Sequence, residues 1–327
     1  MMHGQNRLDR APPPASRARL AREFGRRFAI FGDAEEEFDW SAPLSRDSTS
    51  TEAIASLPAA TRRFTERGLI PTYLVDYPVV ANARSGAAIA QMVADGACDV
   101  GTQLHPWVNP PFEEEVTTAN SFVGNLPRQL ERAKLHALTD RIEAVTGQRP
   151  IVYRAGRYGV GSNSAALLRE AGYSMDVSTR ALFDYSGEQG PDFSGHPIWP
   201  WWVTPGLLEV PLTTTFVGAA RGWPRLHRIK PVRGLLARAR LLSRVALTPE
   251  GTPLVEALVA IRRLLDDGVR LFSLSFHTPS VEIGHTPYVR DEADLSRFWE
   301  WWDGVFDLFA REGVLPARAG EIAAAAR

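Results

Sequence analysis

Six residues of chemically useful type stand where short apolar runs stop: Asp33, Asp76, His105, Arg154, Asp176 and His277. Asp33 opens the segment DAEEEFDW at 33–40. In an extended chain Asp33 and Glu35 point the same way, which suits one carboxylate as a base and the other as a metal ligand. In GTQLHPWVNPPF at 101–112 the polar pair Gln103 and His105 again shares a side, and His105 is the best single candidate for holding a metal. Arg154, in YRAGRYG at 153–159, has the guanidinium needed to orient a carboxylate across a rim, and Tyr158 follows it closely. His277, in SFHTPS at 275–280, can protonate a departing amine. The glycines after Arg154 do not match a phosphate-loop spacing, and no G-x-S-x-G elbow accompanies Ser275 or Ser280.

Residues remote in sequence must be brought together by a repeating scaffold. Apolar runs at 70–76, 98–105, 150–154, 173–177, 207–212 and 270–277 follow a first run at 27–31. Helical periodicity falls between most of them, at about 52–67, 85–95, 127–147, 162–171, 252–267 and 293–312. This alternation predicts a parallel sheet, and in a parallel barrel the strand ends converge on one rim. The segments 106–126 and 178–206, rich in Pro, Gly, Trp and Asn, are long enough to be binding loops or lids. Trp199, Trp201 and Trp202 lie in the second and are open as a sugar-stacking surface, whereas Trp299, Trp301 and Trp302 fit helix packing.

With 327 residues, 44% of them hydrophobic, the chain can bury one large core. Residues 1–26 are basic and proline-bearing and read as a flexible arm, leaving 27–327 as a single domain. A net charge of −1 argues against nucleic acid as a partner. The lone Cys98 forms no intrachain disulfide. Neither a secretory signal nor a membrane-length apolar stretch is evident, so a cytoplasmic location is expected. A basic block from Arg221 to Arg244 reads as a solvated face, with an anionic partner as the alternative.

Taken together the ordered motifs resemble the NodB-homology polysaccharide deacetylase superfamily, and most closely its WalW-type members. PTYLVDYPV at 71–79, SFVGNLP at 121–127, LLEVPLT at 207–213 and GHTPYVR at 284–290 extend the likeness over most of the chain after residue 27. The resemblance implies a distorted (β/α) barrel of about seven parallel strands. It also implies a divalent metal, zinc foremost, that activates water against an N-acetyl carbonyl of a carbohydrate or small molecule. In that scheme Asp33 matches the base, Arg154 the residue orienting it and His277 the acid. Glu35, His105 and, as a weaker ligand, Gln103 match the metal site; Asp76, Trp107, Tyr158 and Asp176 are placed at the substrate.

The chain departs from the superfamily where active members place two histidines four apart. Gln103 pairs in that spacing with Trp107, and His105 with Asn109. Two functions therefore stay open: a metal-dependent hydrolase of C–N bonds, or an inactive relative that binds glycan or regulates a partner. A third reading, glycoside hydrolysis by paired carboxylates such as Glu35 and Asp76, depends on their separation.

Overall fold

The computed structural model describes residues 6–223, 234–236, 238–239 and 241–327. Strand β1, Arg27–Ala34, is buried on both faces, and its period of two sorts side chains between two cores. Phe28, Ile30 and Ala34 join the large apolar cluster that the helices cover, while Ala29 and Phe31 join a smaller cluster on the opposite, inner face. Burial on both faces is what a parallel sheet requires. β2 (Thr72–Val75), β3 (Asp99–Leu104), β4 (Val152–Ala155), β5 (Met175–Asp176), β6 (Trp201–Thr204), β7 (Leu207–Glu209), β10 (Leu271–His277) and β11 (Leu315–Pro316) complete the sheet. Its order is β10-β1-β2-β3-β4-β5-β7-β6, with β11 beside the start of β1; only β6 runs antiparallel to its neighbour.

Among the described residues the ladder does not close. Between β7 and β10 lie single backbone bonds, Thr213 N to Ser273 O (3.1 Å) and Ser275 N to Leu247 O (3.1 Å). A separate hairpin of β8 (Thr214–Val217) and β9 (Ser243–Ala246) stands at this seam. The expected barrel is thus met in coarser form, as an α/β fold with a curled, parallel-rich sheet. Helices α1 (Leu57–Thr65), α3 (Ala83–Ala94), α4 (Arg128–Thr146), α5 (Ser164–Glu170), α6 (Leu254–Asp266) and α7 (Glu292–Arg311) fall where periodicity predicts. Trp301, Trp302 and Phe306 of α7 pack into the large cluster with Phe64 of α1. Among the described residues no helix is long and apolar enough to cross a membrane.

The N-terminal segment corrects the expectation of a flexible arm. Leu8 is fully buried in the large core, and Ala18 sits in the inner one with Leu20 and Phe24 packed against it. Arg19 and Arg327 exchange backbone hydrogen bonds, and Ala21 N donates to Ala325 O of α8 (Ala319–Ala325). Arg270 donates to the carbonyls of Leu20, Ala21 and Gly25. A few small apolar residues and paired backbone anchor a segment whose arginines leave it polar in composition. Together with α8 it covers the inner core, so the inner face opens toward the strand C-termini.

Candidate active site

The inner rows of four strands end in polar groups. Ala29 and Phe31 are followed by Asp33 and, just past β1, Glu35; Val152 by Arg154; Leu271 by Ser273, Ser275 and His277; and β3 contributes Gln103 with His105 beyond it. Because the strands are parallel, these ends meet in one cavity of about 590 Å³ lined by Asp33, Glu35, Gln103, His105, Arg154 and His277. The β1–β10 register sets Asp33 directly beside His277.

Arg154 Nη1 donates to Asp33 Oδ1 at 2.5 Å and to Ser275 Oγ at 2.7 Å, while its Nε donates to Val177 O. The guanidinium is therefore fixed from two sides and fixes Asp33 in turn. Ser275, which could have suggested a nucleophile, is an acceptor for this arginine. His277 Nδ1 lies 2.7 Å from Glu250 Oε2, and its Nε2 faces Asp33 Oδ2 at 4.0 Å and Glu35 Oε1 at 3.9 Å. Burial disfavours charge on His277, but the carboxylates of Glu250, Glu35 and Asp33 outweigh it and push the imidazole up to about 10. Glu250 also accepts from His277 N and Ser280 Oγ.

On the other side of Glu35, three groups converge. Gln103 Nε2 is 2.9 Å from Glu35 Oε2 and 3.2 Å from His105 Nε2, and that His105 nitrogen is 3.6 Å from Glu35 Oε2. Donors bound tetrahedrally to one zinc ion stand about 3.4 Å apart. Gln103 Oε1 is buried and has no hydrogen-bond partner. A half turn of the carboxamide exchanges its NH2 for this oxygen and leaves a carboxylate, an imidazole and a neutral oxygen facing one point. The residues therefore fit a divalent cation, with one ligand weaker than a histidine. Burial raises Glu35 to about 7, with the His277 and His105 interactions acting against that rise.

His105 is aimed by a shell the sequence did not disclose. Its Nδ1 lies 2.7 Å from Glu36 Oε2, Trp107 Nε1 donates to Glu36 Oε1 at 2.9 Å, and the Trp107 ring stacks on the imidazole at 4.4 Å. A carboxylate behind a histidine fixes its tautomer and raises its basicity. Glu36 also approaches Asp76 and His105 closely enough to form a second acidic group. Burial pushes Glu36 up to about 8 and Asp76 well above the ordinary carboxylate range. Through Glu36 this group supports His105 from behind.

Two expected substrate contacts are corrected. Asp76 is fully buried as the N-cap of α2 (Tyr77–Ala81), accepting from Val79 N at 2.9 Å and Glu36 N at 2.7 Å. It does not line the cavity. Asp176 is paired in register with Tyr153 and Glu209, on the face opposite Arg154, and bonds Ser178. It too is absent from the cavity wall. Trp107 does line the cavity but is buried against His105, whereas Tyr158 is half-buried in the wall. Trp201 is core and Trp199 stacks with Arg17, away from the cavity. Trp40 and Tyr288 form the rim instead, each ring against His277. Of the basic block, Arg225, Arg228, Lys230, Arg233 and Arg240 lie outside the described residues.

No family model and no curated protein matches the chain. Solved structures do. A candidate polysaccharide deacetylase from Mycobacterium smegmatis aligns at 17% identity over 92% of this chain and 90% of that one, with a TM-score of 0.55. The 4-alpha-glucanotransferase of Thermococcus litoralis aligns at 12% identity over 92% of this chain and 40% of that one, with a TM-score of 0.52. The chitin deacetylase of Colletotrichum lindemuthianum is similar at 11% identity, over 94% of this chain and 89% of that one, with a TM-score of 0.46. At these identities the likeness is one of fold alone, a curled α/β half-barrel shared with the first two of these structures.

Proposed function

We propose that the chain is a metal-dependent hydrolase of C–N bonds, a WalW-type deacetylase acting on an N-acylated sugar or a related amide. The observation that carries this reading is the pair of oppositely equipped groups flanking Glu35: Asp33 held by Arg154, and His277 held by Glu250. Glu35, His105 and Gln103 would hold the ion, for which zinc suits the donor types. The chemistry such an ion would supply there is a lowered pKa for water and polarisation of the acyl carbonyl. Asp33 accepts a proton from the attacking water, and Arg154 keeps its carboxylate aimed. As the C–N bond breaks, His277 donates its proton to the amine nitrogen, so a carboxylic acid and a free amine leave. The position of the acid and base on adjacent strands provides proximity.

The competing reading, a binding protein on the same scaffold, draws on Gln103. With its NH2 toward both Glu35 and His105, the carboxamide satisfies the two groups without any ion. Glycoside hydrolysis by Glu35 and Asp76 loses its support, since Asp76 is sealed beneath α2.

Metal content and amine release from N-acetylated sugars, measured together, decide between them. The hydrolase reading expects about one bound divalent ion, lost in His105→Ala. It also expects that Asp33→Asn keeps the ion and loses about 10²–10⁴-fold in rate. Protein that takes up metal only as Gln103→His, and releases no amine without that change, is a binding protein.

A further inference from the structure

We propose that Arg180 binds an anionic group on the substrate, so that the molecule entering this cavity is an acidic N-acyl sugar carrying a carboxylate or phosphate. The proposal rests on the amide-hydrolase reading for the reaction but not for the binding. Arg180 follows β5, lines the same cavity as Asp33 and His277, and is half-buried there. Each other cation of the wall has a carboxylate: Arg154 has Asp33, Arg157 has Glu188, and His277 has Glu250. Arg180 has none among the described residues. Its one hydrogen bond there runs from Nη1 to Tyr185 Oη at 3.2 Å, and its Nε is buried with no partner.

An arginine is always charged, and withdrawing it from water without a counterion is costly. Aromatic faces return part of that cost: the guanidinium carbon lies 4.0 Å from the Phe183 ring centroid and 5.2 Å from that of Tyr158. These rings fix the plane of the guanidinium. They supply no oxygen for its remaining N–H groups. A fixed, uncompensated guanidinium facing a cavity is the arrangement that bidentate recognition of a carboxylate or phosphate uses. Tyr158 and Arg180 line one cavity with Arg154, Asp33 and His277, so the anion site and the reacting groups belong to one pocket. Trp40 and Tyr288 meet edge to face at the rim, 5.6 Å between centroids, and their part-exposed outer surfaces offer an apolar wall against which a sugar ring can lie.

Calorimetric titration of the purified protein with N-acetylglucosamine, N-acetylmuramic acid and N-acetylglucosamine 6-phosphate tests this. The three share an acetamido ring and differ in having no anion, a carboxylate or a phosphate. The proposal expects at least one anionic sugar to bind about 10-fold or more tighter than the neutral one, a gap of about 1.4 kcal/mol. The tighter of the two anions identifies the source. Arg180→Gln removes the gap and Arg180→Lys keeps part of it, with circular dichroism confirming that both variants fold. Equal affinities in the native chain, binding of none of the three, or a gap that survives in Arg180→Gln overturns it. An anion preference without any amine release leaves Arg180's assignment standing and removes the hydrolase; amine release without preference does the reverse.

Discussion

His277 takes its charge from neighbours that local sequence does not supply. Burial alone would neutralise it; Glu250, Glu35 and Asp33 together reverse the outcome and set the imidazole at about 10. An imidazole raised from its ordinary value near 6.5 adds stability in full below about 6.5 and loses that contribution as pH rises through about 10. Replacing Glu250 by Gln removes the carboxylate that touches Nδ1. In metal-free protein the His277 ring resonances of Glu250→Gln are therefore expected to titrate well below those of the native chain, with the alkaline limb of any hydrolase activity moving the same way. An unmoved titration would assign the charge to Glu35 and Asp33. That Asp33, Arg154 and His277 meet in one cavity was legible because side-chain type and strand-end position coincide. Glu250 was not: it sits in the turn LTPEGT after a four-residue strand, with no pattern marking it as part of a site. Asp76 and Asp176 show the converse error, since standing at a strand end does not say whether a carboxylate faces the cavity or caps a helix behind it.

Between β3 and β4 the spacing of two backbones decides where His105 sits. A Cβ at Gly156 would lie 2.2 Å from His105 Cδ2 and 2.7 Å from Leu104 O, so only glycine leaves room for the imidazole. The following turn places Arg157 and Tyr158 at φ of 53° and 60°, a left-handed conformation that costs about 1–2 kcal/mol per residue. Gly124 N donates to Gly159 O at 2.7 Å, and Arg157 bonds Ser121 Oγ and Glu188, which hold the turn in place. Such strain gathers where geometry serves a site. Gly156→Ala is expected to displace His105 and weaken metal binding about 10-fold or more, with a smaller effect on hydrolase-independent folding signals such as far-ultraviolet circular dichroism. Equilibrium dialysis against zinc reads it directly. The glycines of YRAGRYG were visible in the sequence, and their spacing ruled out a phosphate loop. Their task of clearing space for a residue on the next strand depends on sheet order and was not readable.

At the scale of the molecule, two ends of the chain close the inner core that the strands leave open. Leu8 lies fully inside the large cluster, so Leu8→Ala is expected to cost about 2–5 kcal/mol in denaturant unfolding. A flexible arm would instead give no change. The alternation of the parallel strands with their helices was legible, because its periodicity is local, whereas β6, β8, β9 and β11 fell outside the runs it marked. The anchoring of residues 6–26 was not, since it depends on Trp201, Val203 and Ala325, which lie far along the chain. The β1–β10 ladder joins residues 27–33 to residues 271–277 and, at its last rung, Asp33 to His277, the proposed base and acid. During synthesis that rung has no partner until almost the whole chain has emerged. Loop closure on this scale is slow and comes late. A chain cut before residue 271 can thus display Asp33, Glu35 and Arg154 without His277 ever coming beside them.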